Sequence, residues 1–336
     1  MKKTSLLIFL FILIGSIAVC LITQKPKKTT VSTKNRDFAV ENIALVNKII
    51  LEDDLENIVT LRKRTEGNWY VNGRWKANAN SVSHLLTAIQ KIKIKYIPPE
   101  AAQKNIIKDI ITNPVNVKIY AQDEQLLKAY QVGGVTNDEL GTHMMMEGSS
   151  EPFVVYIPGF EGGLRVRYHT DEEDWRDKTI FSLQVGDIRL ISIDYPKQKN
   201  RSFQLERRGN DYVVEPLYNT TPRLPVSVSK GMVKRYLYGF ERLIAEGFEN
   251  NNENRASLNQ QLPFALIRLV NKSGEEKVVK LYPIFKRSEV GEIVLNETGT
   301  PLVEKYFADV NGEDLMLIQQ LVFGKILWSY ESFFQR

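Results

Sequence analysis

The chain has 336 residues, 43% of them hydrophobic and 25% charged, which gives room for more than one domain and excludes a disordered chain. One Cys and three His exclude a disulfide framework, a Cys/His zinc site and a Cys/His catalytic pair. The net charge of +5 sits in residues 1–36, which carry seven basic and no acidic side chains, so the remainder lacks the basic footprint that nucleic-acid binding requires.

Residues 5–22 are uncharged and apolar, about 27 Å long as a helix, and follow Lys2 and Lys3. This pattern predicts a signal anchor, a transmembrane helix over residues 1–22. Two other fates stay open: cleavage near Gly15-Ser16-Ile17-Ala18, or acylation of Cys20 as a lipoprotein. The short N-terminal tail predicts a single-pass inner-membrane protein with the bulk of the chain in the periplasm. The absence of Cys beyond Cys20 suits that compartment. Residues 23–36 are polar and Lys/Thr-rich, and read as a stalk.

Beyond the stalk the chain reads as one unit written twice, at a period of about 147 residues. Around Leu61 and again around Leu205, an alternating strand runs through a polar turn into a second strand that opens with an aromatic, Trp69 or Tyr212. Amphipathic helices follow. Val82, Leu85, Leu86, Ile89 and Ile92 fall at helical spacing, as do Val233, Tyr236, Leu237, Phe240 and Leu243, with Ser81 and Ser229 as N-caps. Further strands enter through Pro114 and Pro263, and Pro152 matches Pro301. Lys178-Thr179-Ile180-Phe181 likewise matches Lys325-Ile326-Leu327-Trp328. The expected fold class is α+β: two tandem modules, residues 37–184 and 185–336, each an antiparallel sheet with helices on one face, behind the transmembrane helix.

Asp37-Phe38-Ala39-Val40, Ile49-Ile50-Leu51, Trp69-Tyr70-Val71-Asn72, Gly141-Thr142-His143-Met144, Pro152-Phe153-Val154, Pro158-Gly159-Phe160 and Trp175-Arg176-Asp177-Lys178 occur in this order. Together they resemble the DUF4340 family of bacterial envelope proteins, in its Bacteroidetes form, over residues 37–285. Some members of that family accompany or are fused to components of ABC-type transport systems, including those linked to gliding motility. The resemblance therefore implies a context, and brings no catalytic residues to transfer.

The candidate binding residues lie in two places. Gly159, Phe160 and Glu161 belong to a Gly-rich hairpin loop whose aromatic is a possible anchor, because the following Leu164-Arg165-Val166-Arg167-Tyr168 alternates like a strand and no phosphate-binding helix follows. Trp175 and Arg176 close an acidic run, Asp171-Glu172-Glu173-Asp174, that lacks the spacing and Gly of a calcium loop and fits the first turn of a helix, with Trp175 in the core and Arg176 paired to a carboxylate. His143-Met144-Met145-Met146 alternates between strand faces, which suits core packing better than a copper site. No nucleophile elbow, zincin motif or Walker loop occurs. The expectation is a protein that is not an enzyme, without metal or cofactor, membrane-anchored and periplasmic. It would bind or scaffold an envelope protein partner, with an ABC-type transport or gliding-motility system as the setting. The alternative is a periplasmic carbohydrate-active enzyme or cell-wall-binding module using a cleft between the modules.

Overall fold

The computed structural model describes residues 36–334. Two compact units divide between Arg176 and Asp177. Residues 177–184, placed with the first module from the sequence, belong to the second because Thr179–Phe181 pairs with Leu243–Ile244.

In unit 1 the strands are β1 (Lys48–Glu52), β2 (Ile58–Lys63), β3 (Trp69–Val71), β4 (Trp75–Lys76), β5 (Lys93–Tyr96), β6 (Val115–Tyr120), β7 (Leu126–Val135), β8 (Thr142–Met146) and β9 (Pro152–Tyr156). They form one antiparallel sheet in the order β4-β3-β2-β1-β6-β7-β8-β9-β5. Helices α1 (Ala79–Lys91) and α2 (Glu100–Thr112) flank β5, and a short α3 (Glu172–Trp175) ends the unit.

Unit 2 opens with β10 (Thr179–Phe181), β11 (Ile188–Asp194), β12 (Phe203–Arg208) and β13 (Asp211–Pro216). After α4 (Lys230–Tyr238) come β14 (Leu243–Ile244), β15 (Gly247–Phe248) and α5 (Arg255–Leu258). The strands β16 (Ala265–Asn271), β17 (Glu276–Phe285), β18 (Val303–Val310) and β19 (Asp314–Gln319) lead into α6 (Gln320–Phe323). The main sheet runs β13-β12-β11-β16-β17-β18-β19-β15, the same succession as β3-β2-β1-β6-β7-β8-β9-β5.

Register makes the correspondence residue-specific. Leu61 faces Ile49 and Val71, while Leu205 faces Ile191 and Val214, so Trp69 and Tyr212 stand at equivalent positions two residues before the paired Val. The first helix of each unit buries its apolar stripe on one sheet face: Val82, Leu85, Ala88 and Ile89 from α1, and Val233, Tyr236 and Leu237 from α4. The cap of α1 is Asn78 rather than Ser81, its side-chain oxygen accepting from the Asn80 and Ser81 amides. Ser229 does precede α4 but makes no side-chain cap bond.

Two parts of the expected fold class are corrected. First, the described chain is dominated by antiparallel sheet, and none of its helices is long and apolar enough to cross a membrane. The anchor, Cys20 and the stalk at residues 5–35 lie outside the described residues. Second, the helices do not keep to one face. Pro152 to Val155 are buried at four successive positions, so β9 needs cover on both sides. Phe153 and Val155 join the core under α1, whereas α2 covers the reverse face, where a Cβ on Gly133 would come within 2.6 Å of Ile110. In unit 2 the reverse face carries a separate small cluster of Leu258, Tyr282 and Leu315.

Register also corrects the Pro152–Pro301 match. Val115 faces Val132 as Ala265 faces Leu281, so Gly133 corresponds to Tyr282. Past β7 and β17 the correspondence moves on, and Met144 aligns with Ala308. The cause is an excursion, residues 286–302, where unit 1 has only residues 136–141. Pro301 belongs to that excursion. The Lys178–Lys325 match fails too, since Thr179–Phe181 is a strand of unit 2 and residues 324–326 form a 3-10 turn.

Candidate interaction site

The structure separates the residues singled out from the sequence. Gly159 and Glu161 lie on a loop that is not the expected hairpin, since Arg165–Arg167 forms a 3-10 turn and not a strand. The Phe160 ring leans on the unit 1 core with the Arg167 guanidinium 4.4 Å from its centroid. Trp175 is a core residue, its indole N–H donating to the His169 carbonyl at 2.9 Å. Arg176 is buried with its guanidinium 3.7 Å from the Trp75 ring centroid. The acidic run is consumed locally. The Asp171 carboxylate accepts from the Glu173 amide, Asn72 donates to Glu172, and His169 Nδ1 lies 3.3 Å from Asp174. Among the described residues no group of three or more His, Cys, Asp or Glu is placed to hold a metal ion.

The perturbed titratable groups have structural causes. Burial raises the Tyr168 phenol to about 12, and its oxygen sits 3.2 Å from that of Tyr130. Burial lowers Lys277, whose ammonium donates to the Ile180 carbonyl at 2.6 Å. Burial also lowers His143, against the charge of Asp109. Burial is the first cause in each case, and Tyr168 and Lys277 each have a hydrogen-bond partner.

The four ends of the main sheets differ more. A terminal strand leaves backbone N–H and C=O groups unpaired on its outer side, a template for another strand. In unit 1, β4 has two residues and is followed at once by the Ala77–Arg176 bridge. In unit 2, β15 also has two residues, while β13 is longer but has Val214 only 6% exposed, beside the C-terminal turn Tyr330–Phe334. The remaining end is β5, which among the described residues pairs with β9 alone.

Along β5, Ile94 packs on the core while Lys93, Lys95 and Tyr96 are exposed. Tyr96 is 45% exposed and Ile97, the next residue, 44%. Register accounts for this. Ile94 faces the buried Val155, Lys93 faces Tyr156, and a bulge at Lys95 brings Tyr96 opposite Val154. The bulged Lys95 places its ammonium 3.6 Å from Asp138 and 3.4 Å from the Leu140 carbonyl. Neither Lys91 nor Lys93 has an acidic partner among the described residues.

This edge escaped the sequence reading because only Ile92 separates α1 from β5, with no turn residue to mark the change. The signal was the alternation Lys91-Ile92-Lys93-Ile94-Lys95-Tyr96 before Pro98-Pro99.

Compared with known proteins, residues 37–263 match the model of a family described as a domain of unknown function, DUF4340. The match takes in unit 1 and ends in unit 2 just before β16. No curated protein and no solved structure matches the chain.

Proposed function

The chain belongs to the DUF4340 family, and from that premise we propose that it is a periplasmic binding or scaffold protein serving an envelope assembly. An ABC-type transport or gliding-motility system is the setting that its family resemblance favours. The observation that carries the reading is the open β5 edge, where backbone hydrogen-bonding groups lie beside exposed Tyr96 and Ile97. Strand addition needs no catalytic constellation, only a rigid sheet that holds its last strand in place, and β5 is held by the buried β9.

The test is a photo-crosslinking residue at Ile97, with a second at exposed Leu262 in unit 2 as control, activated in intact membranes. A defined protein adduct from position 97 and not from 262 supports the reading. Equal labelling from both positions, or none from 97, overturns it. A reporter fused after Arg336 tests the compartment, and activity only in the cytoplasm would exclude the periplasm.

A further inference from the structure

We propose that the Lys93–Tyr96 edge takes an extended acidic segment of a partner protein, added as one more strand beside β5. The inference rests on the binding role proposed above and names the chemistry of what binds.

Three observations select the occupant. The edge is basic: Lys93 and Lys95 lie on β5 and Lys91 ends the helix just before it, and among the described residues only Lys95 of the three has an ion-pair partner, Asp138 at 3.6 Å. The side chains opposite an added strand interact in register, so carboxylates are favoured there and ammonium groups are penalised. A second copy is disfavoured for the same reason, because pairing β5 with another β5 sets Lys against Lys. The edge is also partly apolar, with Tyr96, Ile97 and Leu140 each more than two-fifths exposed, so a segment that alternates acidic and apolar residues satisfies both features.

The corresponding edge of unit 2 has the opposite sign. Glu246 and Glu249 flank β15, and Glu246 is already engaged by Lys305 at 3.0 Å. The basic edge is therefore a property of unit 1 alone, and the strand order common to the two units does not produce it. Nucleic acid and anionic membrane would be drawn by charge only. An extended peptide also uses the outward N–H and C=O groups, which gives the test its second arm.

The experiment measures fluorescence anisotropy of a short labelled peptide alternating Glu and Val, titrated with the full chain at low salt. Its comparators are a Lys–Val peptide and a Glu–Val peptide N-methylated at alternate amides. The Glu–Val peptide should bind, with the affinity falling about tenfold or more on N-methylation, and again in the K93E/K95E double variant. The K230E variant, altered at an exposed Lys in unit 2, should bind as the parent does. If the double reversal fails to fold, judged by its circular dichroism, K93Q/K95Q replaces it with the same expected direction. Equal binding of the Glu and Lys peptides, indifference to N-methylation, or no binding overturns the inference. A crosslinked partner at Ile97 together with a silent peptide titration would sink this inference and leave the proposed function standing.

Discussion

Units 1 and 2 share a strand order and differ at its margins. The central strands, the helix on the main core face and the positions of Trp69 and Tyr212 are common to both. The reverse face is not. Where unit 1 has Gly133, unit 2 has Tyr282, and the helix above shrinks from the 13-residue α2 to the four-residue α5. The two changes compensate. With no Cβ at Gly133, Ile110 can sit against the strand, whereas a Tyr fills that space and leaves room for only a single turn with Leu258. One sheet thus tolerates two coverings, provided that the volume between sheet and helix is filled.

The comparison is broken most strongly by emptying each main core. Trp175→Ala in unit 1 and Phe333→Ala in unit 2, whose ring packs on Phe203, Tyr236 and Trp328, should each cost about 3–5 kcal/mol. Denaturant unfolding followed by hydrogen exchange should assign each loss to its own unit. A loss spread equally over both units would show that they do not unfold independently.

Alkaline pH comes next. Burial raises Tyr168 in unit 1 and Tyr306 in unit 2 from an ordinary value near 10 to about 12. A phenol with a raised folded-state pKa lends stability that is complete below pH 10 and is lost as the pH climbs through 12. Each therefore contributes up to about 2–3 kcal/mol to the alkaline decline. Tyr168→Phe and Tyr306→Phe should flatten the decline in their own units, with tyrosinate absorbance reporting the ionisation. A slope unchanged in both variants would contradict the burial assignment.

Gly133→Val sharpens the contrast on the reverse face. It should cost unit 1 about 1–3 kcal/mol by lifting α2 from the sheet. A melting curve checks it, and a neutral result would mean that α2 does not rest on the Gly. The smallest effect is expected from the excursion at residues 286–302. Val290 there is 82% exposed, and Ile293, Leu295 and Leu302 are also open. Replacing the excursion with a loop the length of residues 136–141 should change unit 2 stability by less than about 1 kcal/mol. A larger loss would show that its bridges, Arg287–Ile293 and Leu295–Pro301, support the β17–β18 pair.

The doubling of the chain was legible in the sequence because its evidence is local. Strands with period-2 burial, such as β6, and helices with period-3.6 burial, such as α1, carry their pattern in contiguous residues. So does the hairpin that leads into Trp69 or Tyr212, although its turn spans five residues in unit 1 and only Gly209-Asn210 in unit 2. The membership in DUF4340 was legible for the same reason, as an ordered series of short segments.

What only the tertiary structure decided depends on residues far apart in the chain. That α1 and α2 take opposite faces follows from β9 being buried on both sides, and four apolar residues in a row do not say which helix covers which face. The unit boundary at Arg176 was set by the pairing of β10 with a strand some sixty residues onward. Trp175 packs in the core as the helix-start reading of its acidic run expected, whereas the position of Arg176 over Trp75, far earlier in the chain, is visible only in the fold. The β5 edge became a candidate only because strand order left it last in the sheet. Periodicity reports which side of an element is apolar. Which neighbour arrives there, and which edge is left without one, is a long-range choice that local pattern does not encode.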